Sequence, residues 1–287
     1  MDNIVALITP FKNNEVDYDG LKSLVKMHIN QKTDKLLVLG TTSESATLTK
    51  EEKRKILLVI NELSLGNIEL IGSLCVNNLN SLKDELELYE GICVSSFLVI
   101  TPYYNKATKD GLYNYFKEAS RIIKKDIIIY DVISRTNYNL DYEQIKKLMT
   151  ITNVKGIKLA SSDLNKIRKV CSLNSNDFKV YCGDDLSIMD FLVYGTSGII
   201  SVMSNVISEI IKKILVSYNK GEHEKSLKLF REYETIMEKV FTNVNPVGIK
   251  ALMNALSLPA GDLRLPLSYN TKLEEEFHAL WSWFKWL

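Results

Sequence analysis

Histidine and cysteine are scarce and scattered in this chain. Its 287 residues hold three histidines and four cysteines, and Cys75, Cys93, Cys171 and Cys182 form no CxxC pair, so neither a zinc site nor a disulfide framework has its usual spacing. The cysteines read as reduced, buried fillers, and His28, on the apolar face of an expected helix, as a packing residue. A charge excess is missing too. The 36 basic and 35 acidic residues leave a net charge of +1, which removes the electrostatic case for nucleic acid or a polybasic membrane partner. No GxGxxG or GxxxxGKS/T occurs, so nucleotide binding has no motif behind it. There is no apolar run of membrane-spanning length, and Met1-Asp2-Asn3 leads into a first strand without a basic leader. These absences leave the expectation of a cytoplasmic protein that acts on a small molecule.

What is present is a sizeable core and a regular alternation. Hydrophobic residues make up 46% of the chain, enough for one large α/β domain. Strand-like runs are expected at 4–9, 36–40, 68–73, 97–101, 127–130, 154–159, 178–182 and 198–202. Helical periodicity lies between them. Leu21, Leu24, Val25, His28 and Ile29 mark one helix, with Asp17 as its cap, and Thr49-Lys50-Glu51-Glu52 is a capping-box pattern ahead of another. Further crossover helices are expected at 81–89, 111–123, 142–149, 163–170 and 186–193. Eight strand-helix units in little more than 200 residues predict a (β/α)8 TIM barrel over residues 1–204. Residues 205–287 carry only helical periodicity and read as a C-terminal helical region that completes and packs on the barrel. Trp281, Trp283, Phe284 and Trp286 are expected to pack there.

In such a barrel the chemistry lies at the C-terminal ends of the strands. The run Val154-Lys155-Gly156-Ile157-Lys158-Leu159-Ala160 draws attention first. Alternation puts Val154, Gly156 and Lys158 on one face. Lys155 can escape at the strand's beginning, whereas Lys158 must either snorkel to the strand edge or stay inside. An ammonium held inside loses hydration, its pKa falls, and the free amine that results is a nucleophile toward carbonyls. Other strands end in polar residues. Gly40-Thr41-Thr42-Ser43-Glu44-Ser45 can hold a carboxylate in a backbone nest or merely cap the next helix. Thr101-Pro102-Tyr103-Tyr104-Asn105 and Tyr130-Asp131-Val132-Ile133-Ser134-Arg135-Thr136 offer phenols able to relay protons and an arginine able to fork onto a carboxylate, or else packing and surface residues.

Taken together these stretches resemble the dihydrodipicolinate synthase and N-acetylneuraminate lyase family of class I aldolases. The likeness runs in order through Ala6-Leu7-Ile8-Thr9-Pro10-Phe11, Gly40-Thr41-Thr42-x-Glu44-Ser45-Ala46-Thr47-Leu48, Thr101-Pro102-Tyr103-Tyr104-Asn105, Tyr130-x-Val132-x-Ser134-Arg135-Thr136, Gly156-Ile157-Lys158, Gly183-Asp184-Asp185, Gly198-Ile199-Ile200-Ser201-Val202, Asn245-Pro246 and Leu265-Pro266. Ser134-Arg135-Thr136 is similar to the synthase branch. The resemblance implies a Schiff base between Lys158 and pyruvate, formed without metal or cofactor, and condensation with aspartate-4-semialdehyde in diaminopimelate and lysine synthesis. It implies a proton relay of Thr41, Tyr104 and Tyr130, with Tyr104 reaching into a neighbouring subunit. Thr42, with the backbone amides of Thr41 and Thr42, would hold the pyruvate carboxylate, Arg135 the semialdehyde carboxylate, and Gly183 and Ile200 would offer backbone contacts. A homodimer or homotetramer is implied as well.

Several positions depart from the synthase pattern. Ser43 replaces a usual glycine, which is expected to change the backbone conformation of the turn; Asp131 replaces a usual asparagine and Ile133 a usual proline, which bears on the second-substrate pocket. In lysine-inhibited relatives an allosteric pocket matches Ser45, Ala46, Lys50, Lys53, Asn77, Ser81 and Tyr103. Here Ser81 replaces the acidic partner, and Lys50 and Lys53 replace histidines. Like charges without a carboxylate predict weak or absent lysine feedback. Two alternatives remain open: an aldolase acting on a 2-keto-3-deoxy sugar acid or sialic acid, and a non-catalytic barrel that binds a carboxylate.

Overall fold

Eight parallel strands close on themselves in the computed structural model, which describes residues 1–284 and, within the last helix, side chains to 282. In chain order they are β1 (Asp2–Ala6), β2 (Lys35–Val38), β3 (Glu69–Leu74), β4 (Ser96–Ile100), β5 (Asp126–Asp131), β6 (Val154–Leu159), β7 (Lys179–Cys182) and β8 (Gly198–Ser201). Each pairs with the next, and β1 closes the ring against β8. The intervening helices are α1 (Tyr18–Asn30), α2 (Lys50–Ser64), α3 (Leu79–Glu87), α4 (Lys109–Ile122), α5 (Tyr142–Met149), α6 (Leu164–Cys171) and α7 (Ile188–Tyr194). The expected TIM barrel is therefore the architecture found. A small hairpin, Phe11–Lys12 against Glu15–Val16, follows β1.

Local chemistry explains the element boundaries. Asp17 accepts from the Gly20 amide at the head of α1, and Thr49 and Glu52 form a reciprocal capping box on α2, satisfying amides that have no partner within the helix. Strand residues alternate between two apolar layers. Ile4, Leu37, Ile71, Leu98 and Ile128 fill the barrel interior, while Val5, Leu36, Leu70, Val99 and Ile129 face the helices. A closed sheet covered outside and filled inside has no exposed strand edge.

After β8 come α8 (Ser204–Asn219), α9 (His223–Phe241), α10 (Val247–Ala255) and α11 (Lys272–Phe284). Helix α8 lies on β1, α9 on α8, and α10 packs against α11. Trp281 is half-buried against the core; Trp283, Phe284 and Trp286 lie outside the described side chains. Asn245, just ahead of α10, reaches the mouth of the barrel. No helix among the described residues is long and apolar enough to cross a membrane. The cysteine expectation needs correction. All four are free, but Cys93 is exposed and Cys75 only half-buried, because Cys93 sits in the loop that enters β4 rather than in a strand. His28 is fully buried, and burial pulls its pKa down to about 4.

Candidate active site

A cavity of about 740 Å3 opens at the C-terminal end of the barrel and is lined by Lys158, Tyr130, Thr41, Thr42, Arg135 and Gly183, among others. Lys158 projects from β6 in register with Tyr130 on β5 and Tyr181 on β7, and only 5% of it is exposed. It does not snorkel to the strand edge, in contrast to the exposed Lys155. Its Nζ lies 4.6 Å from the centre of the Tyr130 ring. Loss of hydration lowers its pKa to about 8, against an opposing pull from the Asp185 carboxylate. The amine is thus close to its point of deprotonation at neutral pH.

Tyr130 is buried, and burial pushes its phenol up to about 12, so it holds its proton; the neighbouring Arg135 charge and Thr41 side chain only partly oppose that shift. Such a phenol can donate to an oxygen forming near Lys158. Gly183 leaves little room beside the lysine. A Cβ there would come within 3.0 Å of Lys158 Cγ and Cε and of the Leu159 carbonyl.

The turn after β2 brings Thr41 and Thr42 to the same mouth. Ser43, expected to disturb it, does not occupy the left-handed region; Glu44 does, at φ 54°. The Ser43 hydroxyl instead donates to the Leu7 carbonyl at 2.6 Å. Thr42 Oγ1 accepts from Asn245 Nδ2 at 3.0 Å, and the Asn245 carbonyl accepts from Arg135 Nη2 at 2.7 Å. Asn245 therefore joins two anion-binding candidates, a role its place in Asn245-Pro246 did not reveal. Asp185 was missed in the same way. It is fully buried, accepts from the Ser201 hydroxyl and the Val202 amide, and is pushed up to about 6 by burial. The signal available was an aspartate pair directly after a strand end. Asp131 turns away from the cavity; its Oδ2 lies 2.6 Å from Lys166 Nζ.

Two of the expected residues lie apart from this group. Tyr104 is 92% exposed and held at φ 72°, with the Asn105 amide bonded to the Tyr103 carbonyl across it. Ile200 is buried beneath the cavity in the inner apolar layer. Among the expected allosteric positions, Ser45, Ala46, Lys53 and Tyr103 line a second cavity of about 540 Å3 that shares Thr41, Arg135 and Asn245 with the first. Lys50, Asn77 and Ser81 do not line it. The expectation of unpaired positive charge is incorrect. Glu85, which the sequence reading overlooked, meets Lys53 at 2.6 Å, and Asp84 lies 3.8 Å from Lys50. Ser81 instead helps to cap α3 through Asn78.

Residues 2–282 match the model of the dihydrodipicolinate synthetase family. The chain belongs to that family. Its dihydrodipicolinate synthetase membership makes it a lyase of the class I aldolase type. It is 37% identical to the 4-hydroxy-tetrahydrodipicolinate synthase 1 of Clostridium acetobutylicum over 92% of this chain and 90% of that protein. It is 35% identical, over the same shares, to the 4-hydroxy-tetrahydrodipicolinate synthase of Clostridium perfringens strain SM101. The crystal structure of dihydrodipicolinate synthase from Thermotoga maritima superposes with a TM-score of 0.94 at 32% identity, covering 99% of this chain and 98% of that one.

Proposed function

We propose that this dihydrodipicolinate synthetase family member condenses pyruvate with aspartate-4-semialdehyde, with Lys158 as the covalent nucleophile. The observation that carries the reading is a buried lysine amine, lowered to about 8, beside a protonated tyrosine in a cavity that also exposes Thr42 and Arg135. The neutral amine attacks the keto carbon of pyruvate. Tyr130, relayed through Thr41, supplies the proton that leaves with the oxygen as water, and an iminium remains. The Tyr130 phenolate left by that step takes up a methyl proton and converts the iminium to an enamine, whose carbon attacks the aldehyde and forms the new C–C bond as the proton returns to the aldehyde oxygen. Thr42 and its amide would hold the pyruvate carboxylate, with Gly183 and Ile200 giving backbone contacts. Arg135 would fork onto the semialdehyde carboxylate. No cofactor is called for.

Tyr104 would act on a neighbouring copy's site within a homodimer or homotetramer in the cytoplasm. A bulky residue held at φ 72° in solvent is strained, and strain of this kind is retained where a side chain must be presented. Borohydride reduction with pyruvate, followed by peptide mapping, tests the nucleophile: the pyruvate adduct is expected on Lys158. Labelling elsewhere, or none, overturns the assignment. Assays offering pyruvate with aspartate-4-semialdehyde or with sugar aldehydes test the second substrate. Preference for a sugar aldehyde would favour the sugar-acid aldolase.

A further inference from the structure

Glu44 and Lys250 form an ion pair with both side chains fully buried, Oε1 to Nζ 2.7 Å apart. The pair is also joined to the backbone and to the first hairpin. Lys250 donates to the Asp262 carbonyl at 2.6 Å and lies 4.3 Å from the centre of the Phe11 ring. The second oxygen of Glu44 accepts from the Arg264 amide at 3.1 Å. Arg264 covers the same Phe11 ring at 4.4 Å and closes the outside of the cluster by pairing with Glu52. Burial lowers the Lys250 pKa to about 8, opposed by Glu44.

A buried pair is a weak source of stability, since apolar residues of the same volume often do as well or better. The position of this one gives another reason for it. Glu44 closes the turn that carries Thr41 and Thr42, its amide bonding to the Thr41 carbonyl, and it does so in the left-handed region, which is costly for a residue with a Cβ. Lys250 lies inside α10, and Asn245, just before that helix, is the residue that bonds both Thr42 and Arg135. The pair thus ties one wall of the cavity to the element that links the two anion-binding candidates.

We propose that Glu44 and Lys250 are positioning residues, whose ion pair docks the Thr41–Thr42 turn against α10 and thereby sets the placement of Thr42 relative to Lys158 and Arg135. The proposal rests on the reading of Thr42 and Arg135 as the holders of the two substrate carboxylates. Neither Glu44 nor Lys250 lines the Lys158 cavity. Their loss should therefore weaken capture of substrate and leave the lysine chemistry intact once substrate is bound.

The test uses Glu44→Gln, Lys250→Met, the double variant and Glu44→Asp, each read by thermal unfolding and by cyanoborohydride trapping across pyruvate concentrations. The single variants are expected to unfold at lower temperature, because each leaves a buried charge or amide without its partner. The double variant is expected to regain most of that loss. Its half-saturating pyruvate concentration and its KM for the aldehyde are nevertheless expected to stay raised about tenfold, in keeping with a small misplacement of a binding group, with the trapping rate at saturating pyruvate close to that of the wild type. Recovery of both stability and half-saturation in the double variant would reduce the pair to scaffolding and overturn the proposal. If the neutral variants fail to fold, Glu44→Asp decides: it keeps the charge and shortens its reach, so a raised half-saturation supports positioning and an unchanged one refutes it. Absence of trapping in the wild type would strike the proposed function itself, a result separate from any difference between variants.

Discussion

In the proposed reaction, Lys158 concentrates the chemistry into one amine. With its pKa near 8, roughly one molecule in ten carries the free base at pH 7, against roughly one in three thousand for an ordinary lysine. The initial rate of pyruvate trapping is therefore expected to rise nearly tenfold per pH unit below about 8 and to level off above it. A rate independent of pH between 6 and 9, followed by stopped-flow trapping, would contradict a titrating amine. The same burial has a cost to the fold. Between about 8 and the ordinary lysine value of 10.5 the unfolded chain binds more protons than the folded one, so stability rises with pH across that window. Lys158→Met removes the penalty while conserving volume. It is expected to abolish trapping yet stabilise the protein by on the order of 1–3 kcal/mol at pH 7, a gain that shrinks as pH climbs toward 10.5 and that denaturant titration can follow. At this scale the sequence was informative in part: alternation set the face of Lys158 but left open whether it stays inside or reaches the strand edge, which its burial decides. The same pattern could not reveal Asp185, because its partners Ser201 and Val202 come from a different strand end.

At the scale of elements, the loops after the strands hold the site to tolerances that a single methyl can exceed. Gly183 follows β7 with its amide bonded to the Leu159 carbonyl at 2.8 Å, which would bring a Cβ there to 3.0 Å from the Lys158 stem. Gly183→Ala must push that stem or separate β6 from β7. A fall of about 10- to 100-fold in trapping rate is expected with the circular dichroism spectrum unchanged; full activity would show that the lysine has room to move. The second cavity gives a different kind of expectation. Glu85 is there, but its carboxylate already meets Lys53, and both side chains are largely buried. A free lysine molecule would have to displace that ammonium and leave Lys53 unpaired, so feedback is still expected to be weak or absent, now because the acid is occupied rather than missing. Inhibition at sub-millimolar lysine in a steady-state assay would refute this. Strand and helix periodicity made the barrel legible from the sequence almost element by element. Glu85 was not, because the charge of a cavity depends on which long side chains from α2 and α3 meet across it, and that meeting has no local signal.

The whole molecule bears on Tyr104, the one proposed relay residue that stands almost wholly in solvent. Within one chain it can deliver no proton to the Lys158 cavity, which it does not line. A second copy would give its strained exposure a purpose, and that arrangement makes a quantitative prediction. Tyr104→Phe is expected to lower the condensation rate by about 100-fold, the scale of a lost acid-base group, with unfolding unchanged. Lys158→Met is expected to be inactive. If each site takes its lysine from one subunit and its tyrosine from the other, a dimer of the two variants contains one site with both groups intact and one with neither. Co-expression of differently tagged variants in equal amounts should therefore restore roughly a quarter of the wild-type activity, since half of the randomly formed dimers are mixed and half of their sites are complete. Purification through both tags should raise this to roughly half. A mixed dimer no more active than Tyr104→Phe alone would confine the chemistry to a single chain, and Tyr130 with Thr41 would then have to move the proton unaided.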